Sequence, residues 1–247
     1  MTTNYAVASG ATATSGTSAD AAYPWTNLAT RDRYKVGRSA AAVSSITVEG
    51  NLNGSKTIQA IALHSYRCGA ATAITSVVIK YGGTSPPGTT IATINTPSLT
   101  GRDVGYCHSG TFAAAYVSFT FNLTGSGIFE AGKLAAGPIV DCGSAPSPGS
   151  GDTIATRRVM SETADGGVIV YAGFDSGRAF QVSIEKAALS VGDALEAVAG
   201  AGLPVSYFDL KDRTYEVIVD SLARNDLYNV SPTSGIESIG LQMTRLP

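Results

Sequence analysis

Charge is scarce in this protein: 15% of its 247 residues are Asp, Glu, Lys or Arg, beside a 44% hydrophobic share. Soluble domains are about a quarter charged, so much of this surface is small, uncharged or covered by a partner, as in a subunit. No run of Lys or Arg could serve as a phosphate-binding stripe, and the formal net charge is -2. That balance supplies no field to attract nucleic acid or an anionic membrane. Cysteine is nearly absent. Cys68, Cys107 and Cys142 make an odd count, which disfavours a disulfide framework and predicts reduced, partly buried thiols. No apolar run reaches the roughly 18 residues of a membrane-spanning helix. The start Met1-Thr2-Thr3-Asn4-Tyr5 lacks the basic and apolar regions of a signal peptide, so synthesis and assembly in a cytoplasm are expected.

What the sequence does have is turn chemistry and strand signals. Residues 1–22 are mostly Ala, Thr, Ser and Gly, too small to build a core, and read as an extended arm or a flexible leader. Tyr23-Pro24-Trp25-Thr26-Asn27-Leu28 then forms an aromatic, proline-anchored turn, followed by a polar run to Val36-Gly37-Arg38-Ser39. Strands are expected at Ile46 to Glu49, Thr57 to Leu63, Ile74 to Tyr81 and Thr90 to Asn95. In Phe112 to Leu123, Val117, Phe119, Phe121 and Leu123 alternate with Tyr116, Ser118, Thr120 and Asn122, the mark of a half-buried antiparallel strand. Ile128 to Pro138 reads as the strand that closes this unit.

Cys142 to Gly151 alternates proline, glycine and serine with no apolar side to bury, so a linker is placed at 145–151. Beyond it lie strands at Val168 to Ala172 and Ala179 to Glu185. One helix follows, over 190–199, with Ser190 as cap, Asp193 as the reciprocal acid and Leu189 as staple. Gly200-Ala201-Gly202 ends it. Strands resume at Val205 to Phe208, Thr214 to Leu222 and Ile236 to Leu246. The predicted fold is mainly β: an arm at 1–22, a jelly-roll sandwich at 23–144, and a smaller sandwich with one short helix at 152–247.

The order Tyr-Pro-x-x-Asn-Leu at 23–28, Val-x-Arg-Ser at 36–39 and Thr-Ile-x-Ala-Ile-Ala-Leu at 57–63 resembles the opening of discoidin-like, galactose-binding-type jelly rolls carried by tail proteins of long-tailed bacteriophages. The segment Ile128 to Pro138 is similar to the strand that closes those jelly rolls, with Lys133 where the family often has Arg. Residues 156–247 resemble the β-sandwich modules of tail tubes and distal tail proteins. The resemblance implies a non-enzymatic structural subunit of a phage tail or baseplate. It also implies symmetric threefold or sixfold rings with copies of itself and other tail proteins, seamed along Thr214 to Leu222 and Ile236 to Leu246.

Candidate chemistry is thin by comparison. His64, Cys68, Cys107 and His108 are zinc-ligand types, yet on an extended strand His64 and Cys68 lie roughly 13 Å apart, and neighbours 107 and 108 face opposite ways. No serine sits in a Gly-x-Ser-x-Gly elbow, and only two histidines could activate one. Asp141, Asp152, Glu162, Asp165 and Asp175 stand in turn or linker contexts rather than as a glycosidase pair. No cofactor or metal is expected. The loop carrying Trp25, Arg31, Asp32, Arg33, Tyr34 and Arg38 offers aromatic and charged groups of the kind that hold sugars, a use implied as the alternative function: a carbohydrate-binding module for adsorption to a bacterial surface. The same residues also fit a structural role, with Tyr23 and Trp25 plugging the sandwich and Arg38 paired.

Overall fold

The structure is a computed structural model that describes residues 4–6, 9–10, 13–16, 19–29, 35–69, 73–95, 103–141, 150–154, 158–162, 168–172, 178–208, 213–231 and 234–245. It divides into two units. The first holds Asn4–Val140 together with Ser206–Tyr215; the second holds Asp141–Val205 and Glu216–Pro247. The expected linker falls almost wholly outside the described residues, and so do Arg31, Asp32, Arg33 and Tyr34.

The first unit is built on one sheet in the order Ser9–Gly10, Lys133–Gly137, Val43–His64, Val104–Gly127, Ile74–Gly82, Thr89–Asn95, with Ala13–Gly16 also paired to Val43–His64. A three-stranded sheet of Gly37–Arg38, Phe129–Ala131 and Arg67–Cys68 stands apart from it. The core between them contains Ile46, Val48, Val77, Ile79, Val117, Phe119, Phe121 and Phe129, all buried. Period-two alternation explains the choice of residues: Val117, Phe119 and Phe121 point inward while Thr120 and Asn122 stay half-buried on the other face. Phe121 packs 4.6 Å from Phe129 and 5.3 Å from Tyr66, centroid to centroid, in tilted pairs that aromatic quadrupoles favour.

The two strands expected at 46–49 and 57–63 are parts of a single strand, Val43–His64. An irregularity separates them, since Asn51 pairs with Tyr116 and the next partner pair is Lys56 with Ala114. Four residues therefore stand opposite Ala115. Asn53 at φ 56 and Gly54 at φ 98 turn the backbone there, which is why the sequence pattern reads as two pieces. The N-terminal residues contribute short strands, with Asn4–Ala6 running antiparallel to Val205–Phe208 through Asn4↔Phe208 and Ala6↔Ser206.

Four neighbouring strands of one sheet, in the order Thr214–Ser231 (in the second unit from Glu216), Ser234–Arg245, Arg178–Ala188, Gly151–Ile154, build the second unit. The pairs Phe180↔Met243, Val182↔Leu241 and Ile184↔Ile239 put six apolar side chains on one face, all buried. Helix Leu189–Gly200 lies against Arg178–Ala188 and Ser234–Arg245 and buries Leu195 and Val198. A separate hairpin joins Arg158–Glu162 to Val168–Ala172.

Two expectations change here. Ser190 does not cap the helix: strand Arg178–Ala188 runs straight into it, so Ala188 holds the cap position with no hydrogen bond from its side group, and Asp193 turns to Arg224 instead. Nor is the segment 236–246 a free sheet edge. Ser234–Arg245 has Arg178–Ala188 on one side and Thr214–Ser231 on the other, so its backbone groups are already spent in ladders.

Candidate functional site

The turn at 23–28 is held from below by its own apolar residues. Trp25–Ala29 forms a 3-10 helix in which Trp25 is 3% exposed and Leu28 is fully buried. A Cβ on Gly37 would overlap the Trp25 ring and Leu28 Cδ1, so the strand Gly37–Arg38 seats its bare backbone directly on the indole. Asn27 Nδ2 donates to the Val36 carbonyl at 2.8 Å, fixing the 3-10 helix to the residue before Gly37. Trp25 is thus part of the core that fixes this end of the unit, and its ring is not presented to solvent.

Above that plug lies a charged patch with one exposed ring. Asp20 N donates to the Arg38 carbonyl at 2.8 Å and Arg38 N donates to the Tyr23 carbonyl at 2.9 Å, which stitches 20–23 to 38. The Arg38 guanidinium then reaches Asp20 Oδ2 with Nη2 at 2.6 Å and Nε at 3.2 Å. It also lies 4.3 Å above the Tyr23 ring and 3.7 Å from Glu130 Oε1. Glu130 is the register partner of both Arg38 and Arg67 in the small sheet, so the three side chains share its outer face while Phe129 and Ala131 point into the core. Arg67 Nε donates to Glu130 Oε2 at 2.5 Å.

Paired charges set the electrostatics. The hydrogen bond from Arg38, aided by the Ala22 amide, holds the Asp20 carboxyl below the usual aspartate range, and Asp20 in turn raises Arg38. Among the described residues, two guanidinium groups and two carboxylates leave the patch formally neutral. Tyr23, against Arg38, is 39% exposed. Arg38 covers one face of the Tyr23 ring, so a polyol would lay its apolar C–H face on the ring surface left exposed while its hydroxyls bond to the charged side chains beside it.

Among the residues singled out from sequence, Arg38 lies in this patch, Trp25 lies beneath it, and Arg31, Asp32 and Tyr34 fall outside the described residues. Asp20, Arg67 and Glu130 were not singled out. They come from three distant stretches, and only the pairing register brings them together.

A second cluster was equally invisible in sequence. His64 Nε2 lies 2.7 Å from Ser206 Oγ, and His64 Nδ1 lies 3.3 Å from Asp103 Oδ1, an oxygen that also accepts the Ser65 amide at 3.0 Å. Serine, histidine and aspartate in this order have the polarity of an acyl-transfer triad. Ser206 and His64 are each 1% exposed and Ser206 stands within a strand, so the hydroxyl faces packed protein rather than a substrate's approach. The cluster works as a buried clasp holding Ser206–Tyr215 to the long strand. As for the remaining zinc-type residues, Cys68 pairs opposite Phe129, Cys107 opposite Ala60, and His108 Nδ1 contacts Gly110. Burial pushes the Cys68 thiol pKa up. No group of three or more metal-ligating side chains is gathered among the described residues.

No family model matches this sequence. No curated protein matches it either. Solved structures do. A chitosan-binding module from a Paenibacillus sp. IK-5 chitosanase/glucanase aligns at 17% identity and TM-score 0.43, covering 51% of this chain and 94% of its own. The module CpGH89CBM32-5 from Clostridium perfringens, solved in complex with GalNAc-β-1,3-galactose, aligns at 15% identity and TM-score 0.41 over 50% of this chain and 93% of its own. CBM32-3 from a Clostridium perfringens family 31 glycoside hydrolase aligns at 18% identity and TM-score 0.41 over 54% and 89%. Each of these alignments spans about half of this chain.

The first unit also carries a row of half-buried rings. Tyr81 and Phe112 lie 4.4 Å apart, Phe112 and His108 5.7 Å, and His108 and Tyr106 6.3 Å. Their planes are tilted or perpendicular to one another, so they pack as a herringbone that extends the core and present no single flat platform.

Proposed function

We propose that this protein is a non-enzymatic saccharide-binding module whose contact surface is the Tyr23 patch. The observation that carries the reading is the partly exposed Tyr23 ring stacked against Arg38, which is itself ion-paired to Asp20 and Glu130, with Arg67 paired to Glu130. Ligands are not inherited through fold likeness at this depth, so the named modules contribute no ligand to it. The patch is formally neutral, which favours a neutral sugar over a uronic acid or an amino sugar. A glycan array probed with the whole protein tests this: neutral glycans bound by the native form and lost in Tyr23→Ala support the reading. An empty array, or the same hits with both proteins, overturns it.

A second reading keeps the protein as a structural subunit of a phage tail or baseplate, ringed with copies of itself and other tail proteins. The observation favouring it lies in the hairpin of the second unit, where Leu227 is 56% and Ile236 42% exposed next to the register pair Tyr228↔Ile236. Large apolar side chains left in solvent mark surfaces that another protein covers. The mass of the purified protein in solution separates the two: a closed trimer or hexamer supports the subunit, a monomer at micromolar concentration the free-standing module.

A further inference from the structure

Asn53-Gly54 is the one Asn-Gly pair in the sequence, and the fold places it in an exposed turn. Both residues are exposed, both have positive φ, and both lie in the stretch that the ladder between Val43–His64 and Val104–Gly127 skips. The Asn53 amide N–H donates to Asn51 Oδ1 at 2.8 Å, so the turn is held from the preceding side while Gly54 has no register partner among the described residues. A Cβ built at Gly54 would meet nothing within 4 Å among them, so the space beside its Cα is open.

We infer that Asn53 is a site of spontaneous covalent modification in the folded protein, by intramolecular attack of its following amide. The Gly54 backbone nitrogen, losing its proton to water or hydroxide, forms a bond to the carboxamide carbon of Asn53. The C–N bond of that carboxamide breaks and its nitrogen leaves as ammonia, closing a five-membered succinimide. Water then opens the ring at either carbonyl, giving aspartate or β-linked isoaspartate. No oxidant, reductant or enzyme is needed, and the net change is an amide NH2 exchanged for OH with one more negative charge.

The fold tolerates the product. The β-linkage adds one backbone atom inside a segment that already sets four residues against one, and Asn51↔Tyr116 and Lys56↔Ala114 on either side keep their pairing. The modified protein therefore stays folded and accumulates instead of unfolding.

The test incubates the whole folded protein at mildly alkaline pH and maps peptides by mass, with isoaspartate detected by enzymatic methylation. A parallel sample is held in urea, and Asn53→Gln, whose ring closure would need a six-membered imide, serves as the blocked variant. The expected result is the NH2-to-OH mass gain and isoaspartate at Asn53 in the folded native protein, and neither in Asn53→Gln. Conversion only in urea would show that the fold protects the site and would overturn the inference. So would conversion at Asn51 or Asn122 with Asn53 intact.

Discussion

Arg224 Nε donates to Glu237 Oε2 at 2.8 Å although the Glu237 side chain is only 1% exposed. The same guanidinium reaches Asp193 Oδ1 at 2.9 Å and Glu196 Oε2 at 2.6 Å on the helix, so one arginine pins Leu189–Gly200 to the sheet. Its neighbours raise its pKa, the Glu237 hydrogen bond most. Glu237 Oε1 has no hydrogen-bond partner among the described residues and sits against the backbone of Gly192, in the helix's first turns, where the macrodipole is favourable to a carboxylate. Arg224→Ala leaves that carboxylate buried and unpaired and is expected to cost about 3–5 kcal/mol in urea unfolding.

Gly192→Ala decides between two opposing effects. Alanine gains about 1 kcal/mol of helix propensity over glycine. The new Cβ, however, would occupy the position of Glu237 Oε1. Displacing a buried, arginine-bound carboxylate outweighs the propensity, so a net loss of about 1–3 kcal/mol is expected by the same unfolding assay. A stabilised variant would place Glu237 elsewhere.

The Asp20–Arg38 pair makes a statement about acid. Asp20 binds its proton more weakly when folded than its ordinary 3.8, so its contribution is present above that value and is lost as pH falls through the lower folded value. Asp20→Asn should therefore lower the urea midpoint at neutral pH, with the gap between variant and native protein narrowing below pH 3.8. A gap that persists unchanged at acid pH would contradict the pairing.

Gly37→Ala tests whether the turn is a plug. Its Cβ would overlap Trp25 and Leu28, and the strand that carries Arg38 would have to lift. The expected loss is about 1–3 kcal/mol, with Trp25 fluorescence shifted to the red as water reaches the indole.

Much of this fold is legible in the sequence because alternation is a local signal. The buried faces of the strands at 74–82, 112–123 and 178–188 follow from the spacing of Val, Ile and Phe, and the helix appears within one residue of its expected ends. The site is less legible. Trp25 has the composition of a sugar platform, but Gly37 is the residue that reveals its burial, and that contact needs the small sheet to exist first. Asp20 reads as part of a featureless arm, and Glu130 as one position in a closing strand. Their approach to Arg38 depends on cross-strand register, which no single segment encodes. His64 and Ser206 are 142 residues apart and meet only because Ser206–Tyr215 belongs to the first unit.

That clasp is expected to be structural. Ser206→Ala leaves His64 Nε2 without its hydroxyl partner and should cost about 1–3 kcal/mol. A fluorophosphonate probe should leave Ser206 unlabelled in the folded protein, since the hydroxyl is enclosed. Labelling at Ser206 would show an approach path and reopen acyl transfer.

The most direct test of the account is calorimetric titration of the strongest array saccharide into the native protein, Tyr23→Ala and Trp25→Phe. The ring that faces solvent is Tyr23, so its removal should weaken binding at least tenfold, corresponding to about 1.4 kcal/mol. Trp25→Phe, which alters only the buried plug, should bind within a few-fold of the native protein. Equal affinity in Tyr23→Ala, or a loss confined to Trp25→Phe, would contradict the assignment of the site.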